Sequence, residues 1–125
     1  MKFLIIFILS FLISCDEEEK DNSPTDVTKC EIGGVIYDNN NFASDTLDLS
    51  GLGLANIGDC IGNLTSVSVM ILANNLLQSV PDSITNLKYS LKTLDLSNNN
   101  IDYAERYRVV SLLPETEIIW TEKQK

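Results

Sequence analysis

"TLDLSGLGLANIGDCIGNLTS" (residues 46–66), "VMILANNLLQSVPDSITNLKYS" (residues 69–90) and "TLDLSNNNIDYAERYRVVSLL" (residues 93–113) are one pattern in three versions. They start at Thr46, Val69 and Thr93, 23 and then 24 residues apart. Superposed, they align Leu47 with Met70 and Leu94, Leu49 with Leu72 and Leu96, and Leu54 with Leu77 and Ile101. The first two also share Ile57 with Val80, Ile61 with Ile84, and Leu64 with Leu87. A fixed period of this size marks a stacked array, in which no unit can bury its apolar side alone. Apolar residues two apart at 47/49, 70/72 and 94/96 predict short strands with one side inward. Strands that repeat in the same direction are parallel, and each needs a return crossover.

The alternation matches the signature L-x-x-L-x-L-x-x-N-x-L, with Asn75 and Asn99 on its asparagine position. "NIGDCIGNL" and "SVPDSITNL" look like the second half of the same unit. Over residues 45–112 the chain therefore resembles the leucine-rich repeat family. The resemblance implies an α/β fold: a short right-handed solenoid of about three repeats, with parallel strands on its concave face and a cap at each end. It implies a structural asparagine ladder at Asn75 and Asn99, whose side chains can donate to and accept from backbone left unpaired in the turn. Leu52 stands in that place in the first repeat, a departure expected to weaken the ladder at its N-terminal end. The first two returns are rich in Gly, Pro, Asn and Asp and predict turns or 3₁₀ pieces. The third has helix-forming residues, and Tyr103, Tyr107 and Val110 recur at helical spacing, which predicts an α-helix.

Three repeats are about the minimum for a stable stack, so the ends need covering. "CEIGGVIYDNNNFAS" (residues 30–44) does not fit the repeat. It reads as an N-terminal cap, a hairpin with Ile32, Val35, Ile36, Tyr37 and Phe42 over the first rung. "ETEIIWTEKQK" places Ile118 and Trp120 about one period after Leu94 and Leu96, as a final strand in a domain spanning residues 45–122. Trp120 either closes the core or serves as a surface binding residue. Cys30 and Cys60 either form a cap-to-repeat disulfide or stay as two separate buried thiols.

The first 29 residues belong to a different class of segment. Lys2 and the apolar run "FLIIFILSFLI" (residues 3–13) have the form of a secretory signal, too short for a permanent membrane helix. Leu12-Ile13-Ser14-Cys15 resembles the lipobox of bacterial lipoproteins. That resemblance implies removal of residues 1–14 and a lipidated Cys15. More than one acyl chain would make membrane residence stable. Asp16, Glu17, Glu18 and Glu19 then open a polar stretch with nothing to bury, so residues 15–29 read as a disordered acidic tether. Such a chain averages roughly 20 Å end to end. The acids are either a plain spacer or an address, similar to acidic tags on some outer-surface lipoproteins. Aspartate after the cysteine also resembles an inner-membrane retention signal in other bacteria. The expected location is the outer membrane, with surface and periplasmic leaflets both open. Residues 123–125 are a tail.

Composition narrows the function. The 125 residues carry 9 Lys plus Arg against 18 Asp plus Glu, a net charge of -9, which argues against nucleic acid as a partner. There is no histidine, so Ser-His-Asp and Cys-His catalysis and His-ligated metals are excluded. With two cysteines left in the domain, a zinc site is not expected, and no cofactor is. "DNNNF" at Asp38 opens like a calcium loop but lacks its glycine and distal glutamate. Asn63-Leu64-Thr65 is a glycosylation sequon. Asp45-Thr46-Leu47 and Asp82-Ser83-Ile84 resemble short bacterial O-glycosylation sites.

What remains is a recognition module. The outward residues of the strands are Thr46, Asp48 and Ser50; Val69, Ile71 and Ala73; Thr93, Asp95 and Ser97; and Glu117, Ile119 and Thr121. The middle column, Asp48, Ile71, Asp95 and Ile119, suits an unidentified protein or peptide partner. The rival reading is a non-catalytic structural or surface-coat lipoprotein with no specific ligand. Asp48 and Asp95 would lie two rungs apart, about 10 Å, wider than the usual acid/base pair, and an enzyme is not expected.

Overall fold

The computed structural model describes residues 28–42 and 44–121. The signal, the lipobox with Cys15, most of the tether and the tail lie outside the described residues. In chain order the elements are β1 (Lys29–Ile32), β2 (Val35–Asp38), β3 (Thr46–Asp48), a first 3₁₀ segment (Asp59–Asn63), β4 (Val69–Ile71), a second 3₁₀ segment (Asp82–Leu87), β5 (Thr93–Asp95), α1 (Tyr103–Leu112) and β6 (Glu117–Ile119). β3, β4, β5 and β6 form one parallel sheet in sequence order. Its register is the one the period dictates: Leu47 beside Met70, Met70 beside Leu94, and Leu94 beside Ile118. Among the described residues no helix is long and apolar enough to cross a membrane.

The core lies between this sheet and the returns. Leu49, Met70, Leu72, Leu94 and Leu96 point into it from the strand side. Ile61, Leu64, Ile84, Leu87, Val109 and Leu113 meet them from the return side. Three residues past the ends of β3, β4 and β5, a left-handed residue swings the chain off the sheet: Gly51 at φ 67°, Asn74 at 60° and Asn98 at 54°. Glycine and asparagine tolerate that region at least cost. The first two returns are 3₁₀ segments, as their composition predicts. They stack so closely that a Cβ on Gly62 would overlap the Ser83 carbonyl oxygen and sit 2.8 Å from Asn86 Nδ2. Gly62→Ala is therefore expected to lose about 1–3 kcal/mol of stability, the usual cost of overpacking. Thermal unfolding of the variant checks this.

The third return is α1. Asp102 caps it, accepting from the Glu105 N–H at 2.9 Å, and Pro114 follows its end. The residues whose spacing reads as a helix do not face the core. Tyr103, Tyr107 and Val110 are exposed, and Val109 is the residue α1 buries. Spacing fixes the period of an element, not the side that packs.

The N-terminal cap is a hairpin. β1 and β2 pair antiparallel across Gly33 and Gly34, whose φ of 60° and 83° suit a two-residue turn of type I′. It forms its own two-stranded sheet and does not extend the main one. Cys30 and Ile32 are buried, and Tyr37 and Phe42 pack on the core. Val35 and Ile36 do not cover the first rung as expected. They are 52% and 65% exposed, because Val35 sits at the turn and strand alternation sends Ile36 to the outer face with Glu31. The hairpin is fastened to the first return. Asn63 Nδ2 donates to the Lys29 carbonyl at 2.9 Å, Ser66 N–H donates to Asn39 Oδ1 at 2.6 Å, and Cys30 is disulfide-bonded to Cys60. Closing a loop of 30 residues contributes about 3–4 kcal/mol in the chain-entropy picture. So small a core benefits from such a staple.

Candidate functional site

The open face of the sheet is built from the alternate residues of four three-residue strands. Asp48 lies beside Ile71, Ile71 beside Asp95, and Asp95 beside Ile119. Thr46, Val69, Thr93 and Glu117 form the row before them. Asp48 and Ile119 are exposed, whereas Ile71 and Asp95 are half-buried between their neighbours. Ala73 departs from its expected outward position: it is 7% exposed. Its methyl is too short to stand clear of the backbone on either side, where Gly51 and Ser97 bond to the same strand end.

Both aspartates are held in one pose. Asp48 Oδ1 accepts from the Ser50 N–H at 3.0 Å and its hydroxyl at 2.7 Å. Asp95 Oδ1 accepts from the Ser97 N–H at 2.9 Å and its hydroxyl at 2.6 Å. These are Asx-type turns, read in the sequence as D-L-S twice. The Ser50 hydroxyl, and then its N–H, keep the Asp48 carboxyl below the ordinary carboxylate range, so it stays ionised. The face thus offers fixed carboxylates alternating with isoleucines. Among the described residues no group of three or more His, Cys, Asp or Glu is placed to hold a metal ion.

A polar row borders the face where the strands end. Asn98 Nδ2 donates to Asn74 Oδ1 at 2.9 Å, and the Thr121 hydroxyl donates to Asn98 Oδ1 at 2.9 Å. The asparagine doublets at 74/75 and 98/99 announce it, since each first asparagine turns the chain and each second one enters the ladder. Asn75 Oδ1 accepts from the Leu52 and Leu54 N–H groups, both at 3.0 Å, and its Nδ2 donates to the Leu49 carbonyl at 2.9 Å. Each ladder residue therefore serves the turn before it, as Asn99 does in accepting from the Leu77 N–H at 2.9 Å. The first turn is fully served although Leu52 replaces asparagine. Among the described residues no strand precedes β3 in the sheet, so an asparagine there would have no earlier turn to serve and only its own turn to bond, as Asn75 also does at the Leu72 carbonyl.

Trp120 packs partly on the core, the first of its two expected places. Two sets of contacts made by α1 have no signal in the sequence. The Arg106 guanidinium lies over Trp120 at 4.9 Å and over Tyr103 at 5.4 Å. On the other flank of α1, Glu105 accepts from Arg108 at 2.6 and 2.9 Å and from the Val80 N–H at 3.0 Å. Arg108 also donates to Asp82 and to the Val80 carbonyl, so the pair latches α1 to the second return. The Arg108 hydrogen bond, against the opposing effect of burial, holds the Glu105 carboxyl below its ordinary value of 4.5. A depressed folded value means that this stabilisation is complete above the ordinary value and is lost as pH falls through the folded one. Arg108 is 35% exposed, so solvent screening leaves about 1 kcal/mol. Glu105→Gln is expected to remove that amount at neutral pH and to flatten the stability curve in the acid range, in chemical denaturation at several pH values.

Two of the three candidate modification sites are committed to packing, whereas Thr46 is exposed. Asn63 holds the hairpin through its amide nitrogen, and the Ser83 hydroxyl is buried.

No family model matches the chain, and no curated protein does. Among solved structures it is similar to a leucine-rich repeat protein of Leptospira interrogans. The two are 37% identical over 52% of this chain and 16% of that one, with a TM-score of 0.50. This chain thus matches a small part of that protein's length. The in-register parallel sheet, the returns behind it and this likeness together fit a solenoid of the leucine-rich repeat type.

Proposed function

We propose that the chain is an exported, membrane-anchored recognition module that binds a protein or peptide on the concave face of a right-handed solenoid of three repeats. The observation that carries the reading is the column of Asp48, Ile71, Asp95 and Ile119, which sets carboxylates and aliphatic side chains in one row on an open face. Fixed carboxylates suit cationic or hydrogen-bond-donating partner groups, and the isoleucines suit apolar ones. Cys15 is the lipid attachment point, and residues 15–29 hold the domain off the bilayer. The cap of residues 30–44 and the repeat domain of residues 45–122 form the presented part, in the outer membrane. The likeness to a leucine-rich repeat protein supports a role in binding, as does the lack of histidine.

Proximity labelling on intact producing cells tests both halves. Asp48→Lys with Asp95→Lys is expected to cut labelling of the bound partner by about tenfold, the effect of one lost contact of about 1.4 kcal/mol, while the variant still folds. Cys15→Ala is expected to move the protein out of the membrane fraction. Identical labelled neighbours for the face variant and the parent would leave a structural coat role without a specific ligand. A Cys15→Ala variant processed and membrane-bound like the parent would remove the anchor.

A further inference from the structure

Each layer of the stack covers the next. β3, β4 and β5 each pair with the following strand, and the 3₁₀ segments and α1 pack in the same order behind them. Among the described residues the covering stops at β6. Glu117 donates to the Lys92 carbonyl and Ile119 accepts from the Leu96 N–H, so residues 117 and 119 turn their backbone towards β5. The N–H and C=O of Ile118 between them point away from it. Among the described residues no strand meets that edge.

The helix beside this edge is bare on the same side. Glu105 and Arg108 face the second return, and Val109 faces the core. At 3.6 residues per turn, Tyr103, Tyr107 and Val110 fall on the opposite flank. They are 67%, 79% and 48% exposed, and with Arg106 they line a shallow apolar hollow. Solenoid ends ordinarily carry a polar cap. Among the described residues, this one presents an open strand edge and an aromatic flank together.

We infer that this end pairs with the same end of a second copy, joining two four-stranded sheets into one of eight. A two-fold axis sets the two β6 strands antiparallel. With the axis at Ile118, each outward N–H meets the other copy's outward C=O, the hydrogen-bonded pair of an antiparallel ladder. That register puts each Glu117 opposite Ile119 of the second copy, so the two carboxylates do not face each other. The α1 flank carries no carboxylate, and Arg106 is held by the Ile101 and Thr121 carbonyls and the Trp120 ring. An unrelated strand added to β6 would satisfy Ile118 but leave Tyr103, Tyr107 and Val110 in water. The second copy covers both. One strand edge and one flank of a 10-residue helix give roughly 1,000 Å² in total, the lower bound for a specific interface. The dimer is therefore weak and concentration-dependent. It doubles the recognition face without forming it, so its failure would leave the reading of that face untouched.

Sedimentation of the full chain in detergent, from about 1 to 100 μM, tests the pairing, together with cysteine cross-linking in a Cys15→Ser background. The expected result is a monomer–dimer equilibrium that Tyr107→Glu weakens by about tenfold or more without moving the melting temperature. Ile118→Cys is expected to give a disulfide-linked dimer under oxidation, and Thr46→Cys at the far end of the sheet is not. A monomer at every concentration, a dimer indifferent to Tyr107→Glu, or cross-linking of Ile118→Cys no better than that of Thr46→Cys would each overturn it. So would cross-linking of Ile118→Cys to a different protein.

Discussion

Asn75→Ala is expected to lower the unfolding free energy by about 4 kcal/mol, although it removes only a small polar side chain. Asn75 is 5% exposed, and it is the one buried polar residue among those described. Its amide bonds backbone groups of two successive turns: the N–H groups of Leu52 and Leu54 and the carbonyls of Leu49 and Leu72. Alanine leaves the Leu52 and Leu54 N–H groups and the Leu49 carbonyl without that partner, while the Leu72 carbonyl keeps its bond from Asn99 Nδ2. An unmet buried backbone group costs about 1–3 kcal/mol, and partial relaxation keeps the sum below the simple total. Asn99 is half-buried and makes a parallel set of bonds, so Asn99→Ala should cost about 2 kcal/mol. Leu52→Asn supplies the control. Leu52 is 53% exposed and, among the described residues, no strand precedes β3 in its sheet, so adding the consensus asparagine should change stability by less than about 0.5 kcal/mol. Urea denaturation of the three variants checks the ranking. A large gain from Leu52→Asn would mean that the bonds an amide makes to its own turn outweigh those it makes to the one before.

Leu72→Ala is the second large effect, at about 3–5 kcal/mol. Leu72 is 0% exposed on the middle of the stack, with Leu49 and Leu96 in the equivalent places on either side. Neither neighbour can move into the space without breaking its own register, so the cavity stays open and the cost lies towards the upper end of the usual range. A domain of this size has little stability to spare, and the loss approaches most of it. The unfolding midpoint should fall by more than about 12 °C, at about 4–8 °C per kcal/mol.

Much of this arrangement is legible in the chain because a repeat states its own register. Leu47, Met70, Leu94 and Ile118 share a column since the period brings them there, and the middle row follows at once. The Gly33-Gly34 pair likewise announces the hairpin turn. Other features depend on which neighbour an element meets, and the period is silent on that. Tyr103, Tyr107 and Val110 have helical spacing, yet α1 packs by Val109 and leaves them in water. The Glu105–Arg108 latch reaches Val80 and Asp82 across some 25 residues, and only the stacked fold brings them together. Leu52 looks like a defect when the ladder is taken as one asparagine per turn. It ceases to be one once each amide is seen to serve the preceding turn. Val35 and Ile36 look like cap core because they are apolar, but strand alternation turns Ile36 outward with Glu31 and Val35 sits at the exposed turn.

Everything proposed for the sheet face depends on which side chain of the central strand points out. Ile71 and Leu72 are neighbours in the chain and differ in that respect alone: one lies half-buried on the face, the other in the core. The direct measurement is a pair of thermal melts, Ile71→Thr against Leu72→Ala. Ile71→Thr keeps a β-branched side chain on the strand and should cost less than about 1 kcal/mol. Its midpoint should therefore stay within about 8 °C of the parent, with Leu72→Ala clearly further below. The opposite ranking, with Ile71 critical and Leu72 tolerant, would shift the register by one residue and turn every face residue named above into the core.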